Sequence, residues 1–523
     1  MNENCRDVKF FDSKIAVCYT EPAAPKIKQK GYPTMKPFAR NLLSGLLLAV
    51  LLTTSLAACG SDSDKTPAGD TTPAAQTTAA PETEAPTLFE QLPKNNYGGA
   101  QFNILLPSEH SYEFAEEATG EVVNDALFKR DETVESTYGV DLNYIAESGQ
   151  WSTRETYTGL IRNSIMAQDG AYDLVDGMIS ILMPMTMEGL FQNLADVDGI
   201  NFDDPWWSAD MYDNLNVAGK LYGLTGSSML SMYKTTYVMY ANTKLITDYG
   251  LADPVDLVLA GKWTLENFLQ MVTGYSRDLN NDGKMDDQDF YGYVFKDVPQ
   301  RGFQTALQLD VISRDADGKL TFIGANSRYL AAVDQMAALW GNKSDWFVGN
   351  NSVSTPIFIN DRAIIFNETI ESVEKLRDME SDFVMLPQPK YDEAQENYRV
   401  QMGTASGMLF IPNTVKNTAM TVDVLNAHGA LSYMDVVPAY YEDALKYKYT
   451  RVEKNMEVID IINRSIMLDV TYAHSQTIGN EVQMLFYRNT VSANPVASKF
   501  AAVEKAIQAK LDTIYTTFAG MET

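Results

Sequence analysis

The sequence predicts an α/β fold, because short apolar runs bounded by turn residues alternate with segments of helical spacing. Phe102-Asn103-Ile104-Leu105-Leu106 follows a Gly-Gly turn and reads as a buried strand. Residues 124–138 place Leu127, Val134 and Tyr138 at helical spacing and stop at Gly139; Val140-Asp141-Leu142 then opens a second strand. Residues 157–167 read as helix, and Tyr172-Asp173-Leu174-Val175 as a third strand. Strands separated by helices pair in parallel, so the sheet is expected to be parallel. At the far end, Val503, Ile507, Leu511 and Tyr515 recur at four-residue spacing, the pattern of an amphipathic packing helix.

Ahead of this body stands a different kind of sequence. Lys36 and Arg40 precede an apolar run from Leu42 to Leu56, and small residues lead to one cysteine, Cys59, the layout of a secretory signal. The run falls short of the roughly 20 apolar residues a membrane helix needs. Leu56-Ala57-Ala58-Cys59 resembles a bacterial lipobox, which implies a signal peptide at 35–58 and an acylated Cys59 as first mature residue. Residues 1–34, upstream of the acceptable start Met35, read as a mis-assigned or extended N-terminus. Residues 59–96 are rich in Thr, Pro and Ala and poor in large apolar side chains; they are expected to form a disordered tether.

With 41 Lys+Arg against 69 Asp+Glu, the 523-residue chain carries a formal net charge of −28. Eight of the basic and four of the acidic residues precede Cys59, leaving 33 against 65 in the expected mature chain. Such a surface repels nucleic acid, and it disfavours anionic ligands except at a local basic pocket. Of the three cysteines, Cys5 and Cys18 lie upstream of Cys59, so a chain beginning at Cys59 has no internal disulfide.

Further along, several segments fall in a meaningful order. The strand, helix, strand, helix, strand succession ending in Tyr172-Asp173-Leu174-Val175 is followed by Gly189-Leu190-Phe191-Gln192-Asn193-Leu194 and Gly219-Lys220-Leu221-Tyr222-Gly223-Leu224. Then come Tyr240-Ala241-Asn242-Thr243-Lys244-Leu245, Gly261-Lys262-Trp263-Thr264 with Phe268, Leu386-Pro387, and Ala405-Ser406-Gly407. This order resembles bacterial extracellular solute-binding proteins, the capture subunits of ABC importers, over about 98–450. One departure is the missing proline after Gly223-Leu224. The resemblance implies a two-lobed periplasmic-binding-protein-like fold of type II with the ligand cleft between lobes. Lobe one is expected to be 98–236 and 400–450, and lobe two 240–398 and 451–523. It further implies a monomer that closes on a solute and docks on a membrane permease, held at the outer face of the cell membrane by its lipid.

The sharpest local motif is Asp278 to Asp289. It places oxygens at positions 1, 3, 5, 9 and 12 of a twelve-residue loop (Asp278, Asn280, Asp282, Asp286, Asp289), with the Lys284 carbonyl at 7 and Gly283 at the sharp turn. Hard oxygen donors in that pattern suit calcium in a structural role; Asp289 is shorter than the usual glutamate. Asp315-Ala316-Asp317-Gly318-Lys319 reads as a hairpin turn. Met183, Met185 and Met187, without a nearby cysteine or histidine, read as apolar fill.

Aromatic faces pack on sugar rings while amides and carboxylates bond the hydroxyls. Among Trp151, Trp206, Trp207, Tyr222, Tyr237, Trp346, Phe347, Tyr440 and Tyr441, Trp151 and Trp346 sit closest to polar turns and are the ligand candidates. Asn367 and Glu368, at the end of the apolar run Ala363-Ile364-Ile365, are candidates to hydrogen-bond a polyol, so a sugar or oligosaccharide is the expected solute. No HExxH, GxSxG, CxxC or GxxxxGK[ST] motif is present, and the three histidines are scattered. The expectation is a non-enzyme; the alternative is a secreted carbohydrate-active hydrolase on the same anchor.

Overall fold

A computed structural model describes residues 4–10, 13–19, 86–296, 298–441, 445, 454–490 and 496–521. The chain divides into two units, residues 1–82 and 83–523. In the first, Asn4–Phe10 pairs antiparallel with Ser13–Tyr19. The sequence sets 1–34 aside as a mis-assigned or extended N-terminus, and a hairpin forms among its described residues nonetheless, since strand pairing needs only backbone groups and a short turn. The signal segment 35–58 and Cys59 lie outside the described residues.

The second unit is built on two sheets. One is ordered Gly407–Phe410, Leu174–Met178, Ala100–Pro107, Val140–Glu147, parallel except for its first strand. Phe102, Leu105 and Val175 are fully buried, as expected for parallel strands covered on both faces. The helix Val122–Tyr138 buries Leu127, Val134 and Tyr138 and ends at Gly139, whose φ of 60° suits a residue without Cβ. The helix Arg154–Ala167 buries Tyr157 and Ile161.

The other sheet is ordered Trp346–Val348, Tyr291–Phe295, Ala363–Thr369, Tyr237–Asn242, Phe383–Leu386. Its first three strands run parallel, and Tyr237–Asn242 is antiparallel to both neighbours. The helix Leu265–Val272 is capped by Thr264, whose hydroxyl accepts from the Asn267 amide at 3.4 Å. Trp263, fully buried beside it, donates to the Pro387 carbonyl at 2.9 Å and so ties the helix to the last strand. Asp315 to Lys319 turns between Ile312–Arg314 and Leu320–Phe322.

The chain crosses from the first sheet to the second at Thr235–Thr236 and returns at Met402–Ser406. The crossings lie side by side: the Thr235 and Ser406 hydroxyls are 2.5 Å apart, and a Cβ on Gly403 would stand 2.6 Å from the Thr235 carbonyl oxygen. The tail does not stay on the second lobe, to which the sequence reading assigned 451–523. In the helix Val496–Gly520, Phe500 stacks on Phe322 of the second lobe, whereas Phe518 packs edge-on against Tyr222 of the first. A 25-residue helix is long enough to span the boundary, and its apolar stripe finds partners on both sides.

Candidate functional site

Around the crossings, charged groups are buried at the lobe boundary. The His110 Nδ1 lies 2.8 Å from an Asp176 carboxylate oxygen, with both side chains almost wholly enclosed, and His110 Nε2 lies 3.1 Å from the Ala405 carbonyl. Burial pulls the His110 pKa down, but the charge and hydrogen bond of Asp176, with Glu113 nearby, outweigh it and raise the value to about 9. Glu113, itself raised by burial, accepts from the Leu230 and Ser231 amides at 2.6 and 2.7 Å. Lys234 of the first lobe bonds Glu374 of the second at 2.7 Å.

Asn367 and Glu368 form the buried end of the strand Ala363–Thr369. The Asn367 amide donates to the Tyr293 hydroxyl at 3.1 Å, leaving its oxygen without a partner among the described residues. Glu368 lies 3.5 Å from Lys296 and accepts from the Thr369 amide; burial raises its pKa and Lys296 opposes the shift. Buried polar atoms likewise left without partners among the described residues include Asp176 Oδ1, Ser228 Oγ, Gln304 Oε1, the Tyr440, Tyr441 and Tyr472 hydroxyls, and both nitrogens of His474. Each such atom costs about 1–3 kcal/mol unless water or a bound molecule meets it.

A separate set of residues lines a cavity of about 870 Å³. Asp213 and Asn214 line it from the first lobe; Gln308, Asp310, Arg314 and Arg399 line it from the second, and Arg464 and Asp469 from the tail. Arg314, on the hairpin Ile312–Arg314/Leu320–Phe322, donates to the Asn214 backbone carbonyl and thereby joins the two lobes at the cavity wall. Its volume falls in the range of small-molecule sites, about 300–1,000 Å³.

The aromatic candidates are placed otherwise. Trp346 packs against Phe295 and Trp340 in a cluster of the second lobe. Trp151 is half exposed on the first lobe, with the Arg154 guanidinium 4.4 Å over its ring. Trp206, Trp207, Tyr222, Tyr237, Tyr440 and Tyr441 are buried. None of Trp151, Trp346, Asn367 and Glu368 lines the 870 Å³ cavity. Its lining comes from several widely separated stretches, and no local spacing marks Arg314 or Arg399 in advance.

In the 278–289 loop, the Asp278 carboxylate accepts from the Asn281 and Gly283 amides at 2.6 and 2.8 Å, and Gly283 has φ 80°. Asp282 accepts from the Lys284 amide. Asp289 is fully buried and holds the neck of the loop through the Leu279 and Asp286 amides, while backbone bonds between Arg277 and Phe290 close its base. The donor types suit a hard cation, but among the described residues no group of three or more His, Cys, Asp or Glu side chains is gathered closely enough to hold one.

No protein-family model matches the sequence, and no curated protein matches it. Solved structures do match. The galacto-N-biose/lacto-N-biose I-binding protein of the ABC transporter from Bifidobacterium longum, in complex with lacto-N-biose, aligns with a TM-score of 0.51 at 12% identity, over 82% of this chain and 100% of that one. UspC of M. tuberculosis aligns at 0.49, with 13% identity over 78% and 100% of the two chains. An ABC substrate-binding protein from Listeria monocytogenes in complex with cycloalternan aligns at 0.48, with 11% identity over 80% and 99%. Two of these, those from Bifidobacterium longum and Listeria monocytogenes, are binding proteins of ABC transporters. On the first alignment, the second unit has their two-lobed α/β fold.

Proposed function

We propose that the protein captures a sugar or oligosaccharide for an ABC importer, holding it between the lobes and passing it to a membrane permease after hinge closure. The observation that carries this reading is an 870 Å³ cavity in a two-lobed fold, lined from both lobes by side-chain atoms that donate and accept hydrogen bonds, among them those of Asn214, Gln308, Asp310, Arg314 and Asp469. A polyol offers the donors and acceptors those atoms need. Cys59 anchors the protein by lipid at the outer face of the membrane, on the lipobox-like sequence before it; Cys59→Ala should shed it into the medium, and retention at the membrane would refute the anchor.

The test is a thermal-shift screen over mono- and oligosaccharides, peptides and polyamines. A saccharide at a hundred times its Kd should add about 2.7 kcal/mol of stability. No shift with any saccharide would sink the reading, and release of shorter products from a glycan would replace it with the hydrolase. The same screen, run with calcium and with chelator, tests a calcium ion in the 278–289 loop: melting should rise with calcium and the rise should vanish in Asp282→Ala. Equal melting in both conditions would remove the ion.

A further inference from the structure

We propose that the 870 Å³ cavity is built for a saccharide bearing a carboxylate, with Arg314 as the residue that recognises it; this inference rests on the solute-binding reading above. In a chain of net charge −28, three arginines, Arg314, Arg399 and Arg464, line one cavity. Arg314 is partly buried, and its one hydrogen bond among the described residues goes to a neutral backbone carbonyl, that of Asn214. Burial pulls its pKa down and the charge of Asp213 offsets this only in part, so the guanidinium stands desolvated without a paired carboxylate. The Arg464 side chain makes no hydrogen bond or ion pair among the described residues.

The carboxylates of the lining do not cancel these cations. Asp310 is engaged by Arg399 at 3.6 Å. Asp469 caps the turn Val470–Ala473 by accepting from the Thr471 amide at 2.7 Å, and burial raises its pKa toward the neutral form. Asp213 and Glu396 are exposed to solvent, where water screens them. What remains without a carboxylate partner among the described residues is the pair of guanidinium groups of Arg314 and Arg464. A planar fork of N–H donors matches a carboxylate in two parallel bonds, whereas a neutral sugar leaves the buried cation uncompensated.

Calorimetric titration of the protein with trisaccharides of galacturonate or glucuronate, and with their neutral galactose and glucose counterparts, decides the matter. At least one acidic trisaccharide should bind tenfold or more tightly than its neutral counterpart. That ratio should fall at least tenfold in Arg314→Met and recover in part in Arg314→Lys, with circular dichroism confirming that each variant folds. Should the variants fail to fold, the ratio in the unaltered protein decides alone. Equal or tighter binding of the neutral sugars overturns the inference and leaves the solute-binding reading standing. Silence with every acidic and neutral saccharide overturns both.

Discussion

His110→Phe should lower the stability of the protein by about 3–5 kcal/mol, read as a fall in the denaturant midpoint, because it strands the Asp176 carboxylate in the interior. Among the described residues one oxygen of Asp176 already lacks a partner, and the other is engaged by His110. Adding Asp176→Leu to His110→Phe should restore part of the loss, since removing both charges relieves the uncompensated one. An unchanged midpoint in His110→Phe would show that the pair holds nothing.

The same pair predicts a pH dependence. The folded pKa of His110 is about 9, above the free value of 6.5, so the folded state holds the proton more tightly. The stability it contributes is complete below about pH 6.5, falls as the pH rises, and is gone above about 9. The shift corresponds to roughly 3 kcal/mol. Denaturation midpoints between pH 6 and 10 should therefore descend in the unaltered protein by more than in His110→Phe; parallel profiles would refute the assignment. Because His110 also touches the Ala405 carbonyl, on the return crossing, this loss falls where the lobes meet.

Gly403→Ala is the second large effect. The added Cβ would meet the Thr235 carbonyl oxygen at 2.6 Å, and Gly403 and Thr235 both lie in backbone that crosses between the lobes. Neither crossing can yield by rotating a side chain, so one must shift, at about 1–3 kcal/mol. Thermal melting should show the loss, and small-angle scattering should show a changed spread of lobe separations with and without sugar. Melting and scattering indistinguishable from the unaltered protein would mean that the crossings are looser than their packing indicates.

Much of the fold was legible before any coordinates. The strands at 100–107, 140–147 and 174–178 and the helices between them follow from local periodicity: a run such as Phe102-Asn103-Ile104-Leu105-Leu106 can bury itself only as a covered strand. Gly139 ended its helix as expected, for the local reason that it reaches φ 60° without strain. The tail helix was also visible, but not its route across both lobes, because four-residue spacing states that a face is apolar and says nothing of what covers it. Trp346 illustrates the same limit. Beside polar turn residues it reads as a cleft residue, yet Phe295 and Trp340 come from distant positions to enclose it.

The sequence by itself determined the α/β class and the acidic charge, and it supplied the oxygen pattern of 278–289 and the leader-like stretch before Cys59. Each of these depends on residues close together in the chain or on their sum. Tertiary structure alone decided that His110 meets Asp176 and that Gly403 lies against Thr235. It alone set Arg314 beside Asn214 at the wall of a cavity lined from five or more separate stretches. Those pairings join residues 66 to 168 positions apart, and no periodicity or spacing carries information over such separations.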